Sequence, residues 1–134
     1  MHMRGNPKNM MSKTNYENLT KDVCKYFSQR IDKAQSCGIN DIIIDPGFGF
    51  SKTTQQNYEL LKNLEFLKEL QRPIIVGISR KSMIYKILNT TPEKALNGSS
   101  VLHTISLMKG ANILRTHDVK EAVECVKIVG QFNS

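Results

Sequence analysis

No apolar run in these 134 residues approaches the roughly 18 needed to cross a bilayer. The opening Met1-His2-Met3-Arg4-Gly5-Asn6-Pro7 has no apolar core of the signal-peptide type either. These absences set the expectation of a cytoplasmic protein with no membrane partner. Cysteine is scarce: Cys24, Cys37 and Cys125 are odd in number, lie far apart and form no CxxC pair, which leaves reduced structural thiols as their reading. Low-complexity tracts are missing too, so 40% apolar content places the chain in the range of one globular domain or part of a larger one. No Gly-x-Gly-x-x-Gly or Walker pattern follows any apolar run, which argues against an ordinary dinucleotide or P-loop nucleotide fold. Acidic residues are few against the basic ones, and the net charge is +7. The lysines are spread along helical stretches, at Lys62, Lys68, Lys94 and Lys127, and do not form one block, so a solvated basic face is expected and no nucleic-acid partner. A small anion with several charges suits the same balance, and its place would be at strand ends and helix starts.

Three short apolar runs are present: Ile42-Ile43-Ile44, Pro73-Ile74-Ile75-Val76-Gly77-Ile78 and Ala111-Asn112-Ile113-Leu114. Each is β-branched and continuous, the pattern of parallel strands buried on both faces. Helical patterns lie between and after them. Leu19, Val23, Phe27, Ile31 and Ala34 recur at helical spacing, with Gly38 as the C-terminal stop. Leu60, Leu61, Leu64, Leu67 and Leu70 continue in the same way before the second run. Thr91-Pro92-Glu93 reads as a capped start, and Leu102, Ile105 and Met108 carry a stripe to Gly110. Asp118 reads as the cap of a last helix carrying Val119, Ala122, Val123, Val126 and Val129. The spacings from Ile43 to Ile75 and from Ile75 to Ile113, 32 and 38 positions, suit βα units of a parallel α/β fold. A (β/α)8 barrel typically needs about 250 residues, and this chain has roughly half of that.

Each strand ends in a polar cluster: Asp45-Pro46-Gly47-Phe48-Gly49-Phe50, then Ser79-Arg80-Lys81, then Arg115-Thr116-His117-Asp118. Taken singly, the first is also a glycine turn, the second a helix start and the third a cap. Taken together they mark the C-terminal strand edge, where parallel sheets and barrels bind ligands. A carboxylate at the tip of a buried strand, as at Asp45, is costly unless something pairs with it.

The clusters resemble the dihydropteroate synthases, folate-pathway enzymes of the pterin-binding family. The resemblance is carried by Asp45-Pro-Gly-Phe-Gly-Phe50 with Lys52 and Asn57 beyond, by Gly77-Ile-Ser79-Arg80-Lys81, Gly98-Ser99 and Gly110-Ala111, and by Arg115-Thr-His117-Asp118-Val119. The opening Met1 to Pro7 also resembles the family segment that follows the fifth barrel strand. The implied fold is α/β: residues 1–134 as the C-terminal part, strands six to eight with their helices, of a (β/α)8 TIM-type barrel whose N-terminal half is absent. The implied activity is a transferase reaction that joins p-aminobenzoate to 6-hydroxymethyl-7,8-dihydropterin pyrophosphate and releases pyrophosphate. Asp45 would bind the pterin ring by accepting two parallel hydrogen bonds. Lys81 would donate to the pterin beside the aminobenzoate site, its charge offsetting Asp45. Arg115 would stack on the pterin and grip the pyrophosphate, with His117 as a second donor. The implied catalytic residues are therefore Lys81, Arg115 and His117. Phe50 and Ser79 would line the aminobenzoate pocket, Gly77 would permit close approach of the pterin, and Met1 would pack on its ring.

Mg2+ is implied on the pyrophosphate, with no protein ligand nameable in this chain. Sulfonamides are implied as competitors at the aminobenzoate pocket, and a homodimer through the last helices is a further implication. For the stripe Val119-Val123-Val126 the preferred reading is that it faces the barrel. The chain departs from the family pattern at Ser51, where glycine is common, at Asn6 for threonine, Thr116 for valine and Asn97 for arginine. The family's first two mobile loops, a second pterin-binding Asp and Asn, and an asparagine that assists magnesium have no counterpart here. Two alternatives stand beside the leading one. One is a catalytically inactive fragment or assembly module; the other is a methyltetrahydrofolate-dependent methyltransferase of the same barrel family, against which the basic clusters argue because methyl transfer releases no pyrophosphate.

Overall fold

The computed structural model describes all 134 residues. The first helix, α1, spans Leu19–Ser36 and buries Leu19, Val23, Phe27 and Ile31, the stripe its sequence periodicity predicts. Asn18 caps it by accepting from the Lys21 N–H at 2.9 Å. At its end the Ile39 N–H donates to the Ala34 carbonyl and the Gly38 N–H to that of Gln35, with Gly38 left-handed at φ +82°. This is the Schellman arrangement that glycine makes inexpensive. Helix α2, Thr54–Lys62, starts on a reciprocal capping box between Thr53 and Gln56.

The leucine series predicted one helix through Leu70, but α2 stops at Lys62 and residues Leu64–Leu70 form 3-10 turns. Leu64, Leu67 and Leu70 are spaced by three, the period of a 3-10 helix, and the first two remain fully buried. Asn63 marks the break, its amide donating to the Thr20 hydroxyl of α1.

Strand β1, Ile75–Val76, pairs in parallel with β2, Ile113–Leu114, and a single parallel bridge joins Ile44 to Ile74. The three predicted apolar runs thus lie side by side in chain order. Burial on both faces does not hold. Ile44, Ile74 and Val76 are at most 2% exposed and sit in the main core, whereas Ile43 and Ile113, on the opposite face, are 54% and 36% exposed. Successive strand side chains point to opposite sides, and in this chain the buried core lies on one side only.

Helix α3, Ser82–Tyr85, follows β1, and α4, Leu96–Met108, lies against α5, Val119–Phe132. The expected stripes on both long helices are rotated. On α4, Ser99, Leu102, His103 and Ser106 are buried while Ile105 and Met108 face outward. On α5, Ala122, Cys125 and Val129 are buried, and Val119, Val123 and Val126 are exposed. Small residues let these two helices approach closely, and the Ser99 and Ser106 hydroxyls are satisfied by the Ala95 and Leu102 carbonyls one turn back. No helix is long and apolar enough to cross a membrane. Cys24, Cys37 and Cys125 are all free thiols.

Candidate active site

The three strand ends meet at one rim. Asp45 leaves the first run with only 6% of its surface exposed. Its Oδ1 accepts from the Gly47 N–H at 2.9 Å, and its Oδ2 lies 3.0 Å from Arg115 Nη1. The direct ion pair is with Arg115, from the far strand, and Lys81, which the sequence suggested, is a second cation that the same carboxylate attracts. Gly77, at the end of the intervening strand, makes this reach possible. A Cβ at Gly77 would stand 2.4 Å from Arg115 Nη2, so the guanidinium lies in the space that a side chain would fill.

Lys81 directs its ammonium to the Phe48 carbonyl and holds it 4.9 Å from the centre of the Phe50 ring. Burial lowers its pKa to about 8; the carboxylate of Asp45 opposes that shift and the charge of Arg115 adds to it. The lysine stands between two hollows. One is a cleft of about 160 Å3 lined by Gly77, Ser79, Lys81, Arg115, Thr116 and His117, without an apolar residue. The other, of about 340 Å3, includes Phe48, Phe50, Lys81, Ser82 and Tyr85. Phe50 lies beside Lys81 in this second hollow. Ser79 does not join it. Its hydroxyl is 3.0 Å from His117 Nδ1 and accepts from the His117 N–H at 3.3 Å, so it fixes the histidine on the cationic side. Met1 lies outside the polar cleft, in an apolar trough with Tyr26, Phe27 and Ile42 to Ile44, its carbonyl accepting from the Tyr26 hydroxyl.

Several residues at this rim carried no role in the sequence reading. Arg80 is left-handed at φ +55° and makes a two-point contact with Asp118, Nε to Oδ2 at 3.0 Å and Nη2 to Oδ1 at 2.5 Å. Asp118 makes no side-chain cap on α5 for that reason: a bidentate charged pair outcompetes a backbone N–H. The guanidinium holds the Asp118 carboxyl below its usual range. This contact ties the second strand-end loop to the third and fixes the flanks of Lys81 and His117.

Lys52 is 2% exposed and donates to the carbonyls of Gly47 and Phe50 and to His2 Nδ1, each at 3.0 Å. Burial lowers its pKa to about 7 and that of His2 to about 3. Asn57 closes the same loop, accepting from the Gly49 N–H at 2.7 Å. Ser51, where the family favours glycine, has φ +49°. Its hydroxyl accepts from the Arg4 N–H at 2.9 Å and donates to the Phe50 carbonyl, bonds a glycine would lack. The signal for Lys52 was in the sequence: a lysine between a glycine-rich turn and a helix cap has no solvent-facing helix to occupy.

No group of three His, Cys, Asp or Glu side chains is placed to hold a metal ion. The polar cleft is lined by Lys81, Arg115, His117 and uncharged groups, and the two nearby carboxylates, Asp45 and Asp118, are already paired with Arg115 and Arg80. The residues of this chain therefore do not fit a protein-held Mg2+, and no step below passes through one. Chemically the rim offers an anion site of Arg115, His117 and Lys81 next to a buried carboxylate that accepts hydrogen bonds.

Known proteins resemble this chain in sequence and in fold. Residues 1–117 match the pterin binding enzyme family. The curated dihydropteroate synthase of Escherichia coli (strain K12) is 43% identical over 131 residues, which is 96% of this chain and 46% of that protein. The crystal structure of Yersinia pestis dihydropteroate synthase with a sulfonamide drug complex superposes with a TM-score of 0.96 at 41% identity, covering 99% of this chain and 49% of the other. The Thermus thermophilus enzyme in complex with 4-aminobenzoate gives a TM-score of 0.96 at 32% identity, covering 100% of this chain and 56% of that one. The chain spans about half the length of the curated relatives it matches. On these matches, the chain belongs to the pterin-binding enzyme family.

Proposed function

We propose that the chain supplies strands six to eight of a dihydropteroate synthase barrel, residues 1–134 acting as one part of the pterin-binding domain. The strands of the first half would complete the site. The observation that carries this reading is the convergence of Asp45, Lys81, Arg115 and His117 on one sheet edge around a cleft without apolar lining. Relatives crystallised with a sulfonamide and with 4-aminobenzoate support the substrate class.

In this reading Asp45 accepts hydrogen bonds from a ring N–H and the adjacent amino group of the pterin, and Arg115 moves from Asp45 toward the pyrophosphate. The carbon–oxygen bond breaks with its electron pair leaving on pyrophosphate, whose charge Arg115 and His117 stabilise. The amine of p-aminobenzoate then forms the new carbon–nitrogen bond and loses one proton. Lys81, standing between the two hollows, holds both partners in line. Little acid-base work is required, so positioning and leaving-group stabilisation dominate the rate.

The uncovered face bearing Ile43 and Ile113 favours a second statement, that the transfer needs the remaining strands. The test is a dihydropteroate assay on the 134-residue chain alone and mixed with the strand one-to-five half of the Escherichia coli enzyme. Product is expected only in the mixture. Turnover by the chain alone would overturn the need for a second half; a mixture that assembles but neither binds pterin pyrophosphate nor turns over would overturn the function.

A further inference from the structure

We infer that Lys52 is a positioning residue for the pterin site, its buried ammonium forming the hub on which the Asp45–Phe50 loop is folded. The inference rests on the reading of that loop as the pterin and aminobenzoate binder. Between Asp45 and Lys52 the chain makes no helix or strand, and Gly47, Gly49 and Ser51 are left-handed at φ +73°, +82° and +49°. Alternating handedness turns carbonyls inward, and lysine ammonium groups reach three of them: Gly47 and Phe50 from Lys52, Phe48 from Lys81, with the Phe50 N–H and the Ser51 hydroxyl adding a second bond to the Gly47 and Phe50 carbonyls. An ammonium has three N–H donors and no acceptor. Lys52 meets three acceptors, the two carbonyls and His2 Nδ1, so every donor is used.

A lysine buried merely to fill space would cost its desolvation without return. This one acts on the loop itself. Gly47, whose carbonyl it holds, donates its N–H to Asp45, and Phe50, whose carbonyl it also holds, faces Lys81. The charged and titratable groups around Lys52 are His2 and Arg4 from the opening segment, Asp45 from its own loop, and Lys81 from the loop after β1. Asp45 favours its charge and the two other cations oppose it. Loss of its proton as pH rises through about 7 removes one of the three donors and loosens the loop.

The decisive comparison is between the parent and Lys52→Met, each as this chain completed by the strand one-to-five half. Lys52→Met is expected to keep its helix content by circular dichroism. It is also expected to weaken binding of 6-hydroxymethyl-7,8-dihydropterin pyrophosphate at least tenfold by calorimetry and to raise KM for it more than it lowers kcat. The His2 imidazole, followed by NMR, should titrate at higher pH once its positive neighbour is gone. A folded Lys52→Met protein with parental affinity overturns the inference. If the variant does not fold, the parent decides it. One lysine side chain should titrate near 7 together with the amide signals of Gly47 and Gly49, and titration of every lysine near its ordinary value overturns the role. A parent that binds no pterin but shows this coupled titration defeats the proposed function while leaving the hub in place.

Discussion

Asp45 has two partners, one backbone N–H and one guanidinium, and the guanidinium is the half that solvent reaches, with Arg115 53% exposed against 8% for the carboxylate. Removing it leaves a buried charge partly unpaired, so Arg115→Met is expected to cost about 1 kcal/mol in unfolding free energy and far more in pterin pyrophosphate affinity. Denaturant unfolding beside calorimetry checks this; equal losses in both would make Arg115 a structural residue. Lys81 titrates near 8, which gives two opposite pH trends. Its pKa is lowered on folding, so between about 8 and its ordinary value the unfolded chain holds more protons and this group's contribution to stability rises with pH. Anion affinity falls over the same rise, because the cleft loses a cation. Melting and sulfate or pyrophosphate binding measured from pH 7 to 10 should move in opposite directions; Lys81→Met should flatten the binding trend and remove part of the rise in stability, the rest belonging to Lys52, whose pKa is also lowered. His2 behaves as a depressed base: its stabilising neutrality is complete above 6.5 and is lost as pH falls toward 3. His2→Gln should therefore blunt acid unfolding. Asp45, Lys81, Arg115 and His117 were legible in the sequence because each follows directly on a β-branched run that ends at a sheet edge. The pairs Lys52–His2 and Arg80–Asp118 were not, since their members lie 50 and 38 positions apart and only the folded chain brings them together.

Between strand and helix, the glycines of the site loops do different work, and substitution separates them. Gly38 is left-handed with nothing within 4 Å of where a Cβ would stand, so Gly38→Ala carries only the conformational cost, about 1 kcal/mol. Gly47 is left-handed as well, but a Cβ there would lie 2.0 Å from the His2 carbonyl oxygen. Backbone cannot swing aside as a side chain can, so Gly47→Ala is expected to destabilise by several times as much and to release the opening segment from the Asp45 carbonyl, which now accepts from the His2 N–H at 2.9 Å. Thermal unfolding of the two variants makes the comparison; equal losses would show that the His2 contact is dispensable. The four longer helices were readable, but the single turn of α3 was not, and the start read at Thr91 is a 3-10 turn that precedes α4; helix faces were readable for α1 and α2, where large apolar residues set the period. On α4 and α5 the buried side mixes Leu102, His103 and Val129 with serine, alanine and cysteine, small residues whose value lies in close approach and which carry little hydrophobic signal. The leucines from Leu64 to Leu70 fit either helical period, and a contact from Asn63 to α1 selected the tighter one.

Over the whole molecule, many large apolar side chains stay exposed, and two of the surfaces they form, on different elements, bear on association. One is the sheet face of Ile43 and Ile113, beside the rim; the other is the outer side of α5, with Val119, Val123 and Val126 exposed at 64%, 44% and 48%. Parallel strands are stable when both faces are covered, and a sheet of three short runs leaves unpaired edges besides. Self-association of the 134-residue chain is therefore expected to run through the sheet face more than through α5. Sedimentation velocity across a concentration series tests this: Ile43→Lys should shift the chain toward monomer, and Val123→Lys should leave its association nearly unchanged. The same Ile43→Lys should have the reverse consequence once the first-half strands are supplied. There it places a charge inside a closed barrel, and assembly and turnover should fail together, because burying an unpaired ammonium costs several kcal/mol. A substitution that improves the behaviour of the chain alone and destroys activity in the mixture would place the first-half strands of the proposed barrel on this face. If Val123→Lys instead is the one that yields monomer, the outer side of α5 is the contact surface, and the sheet face is covered in some other way.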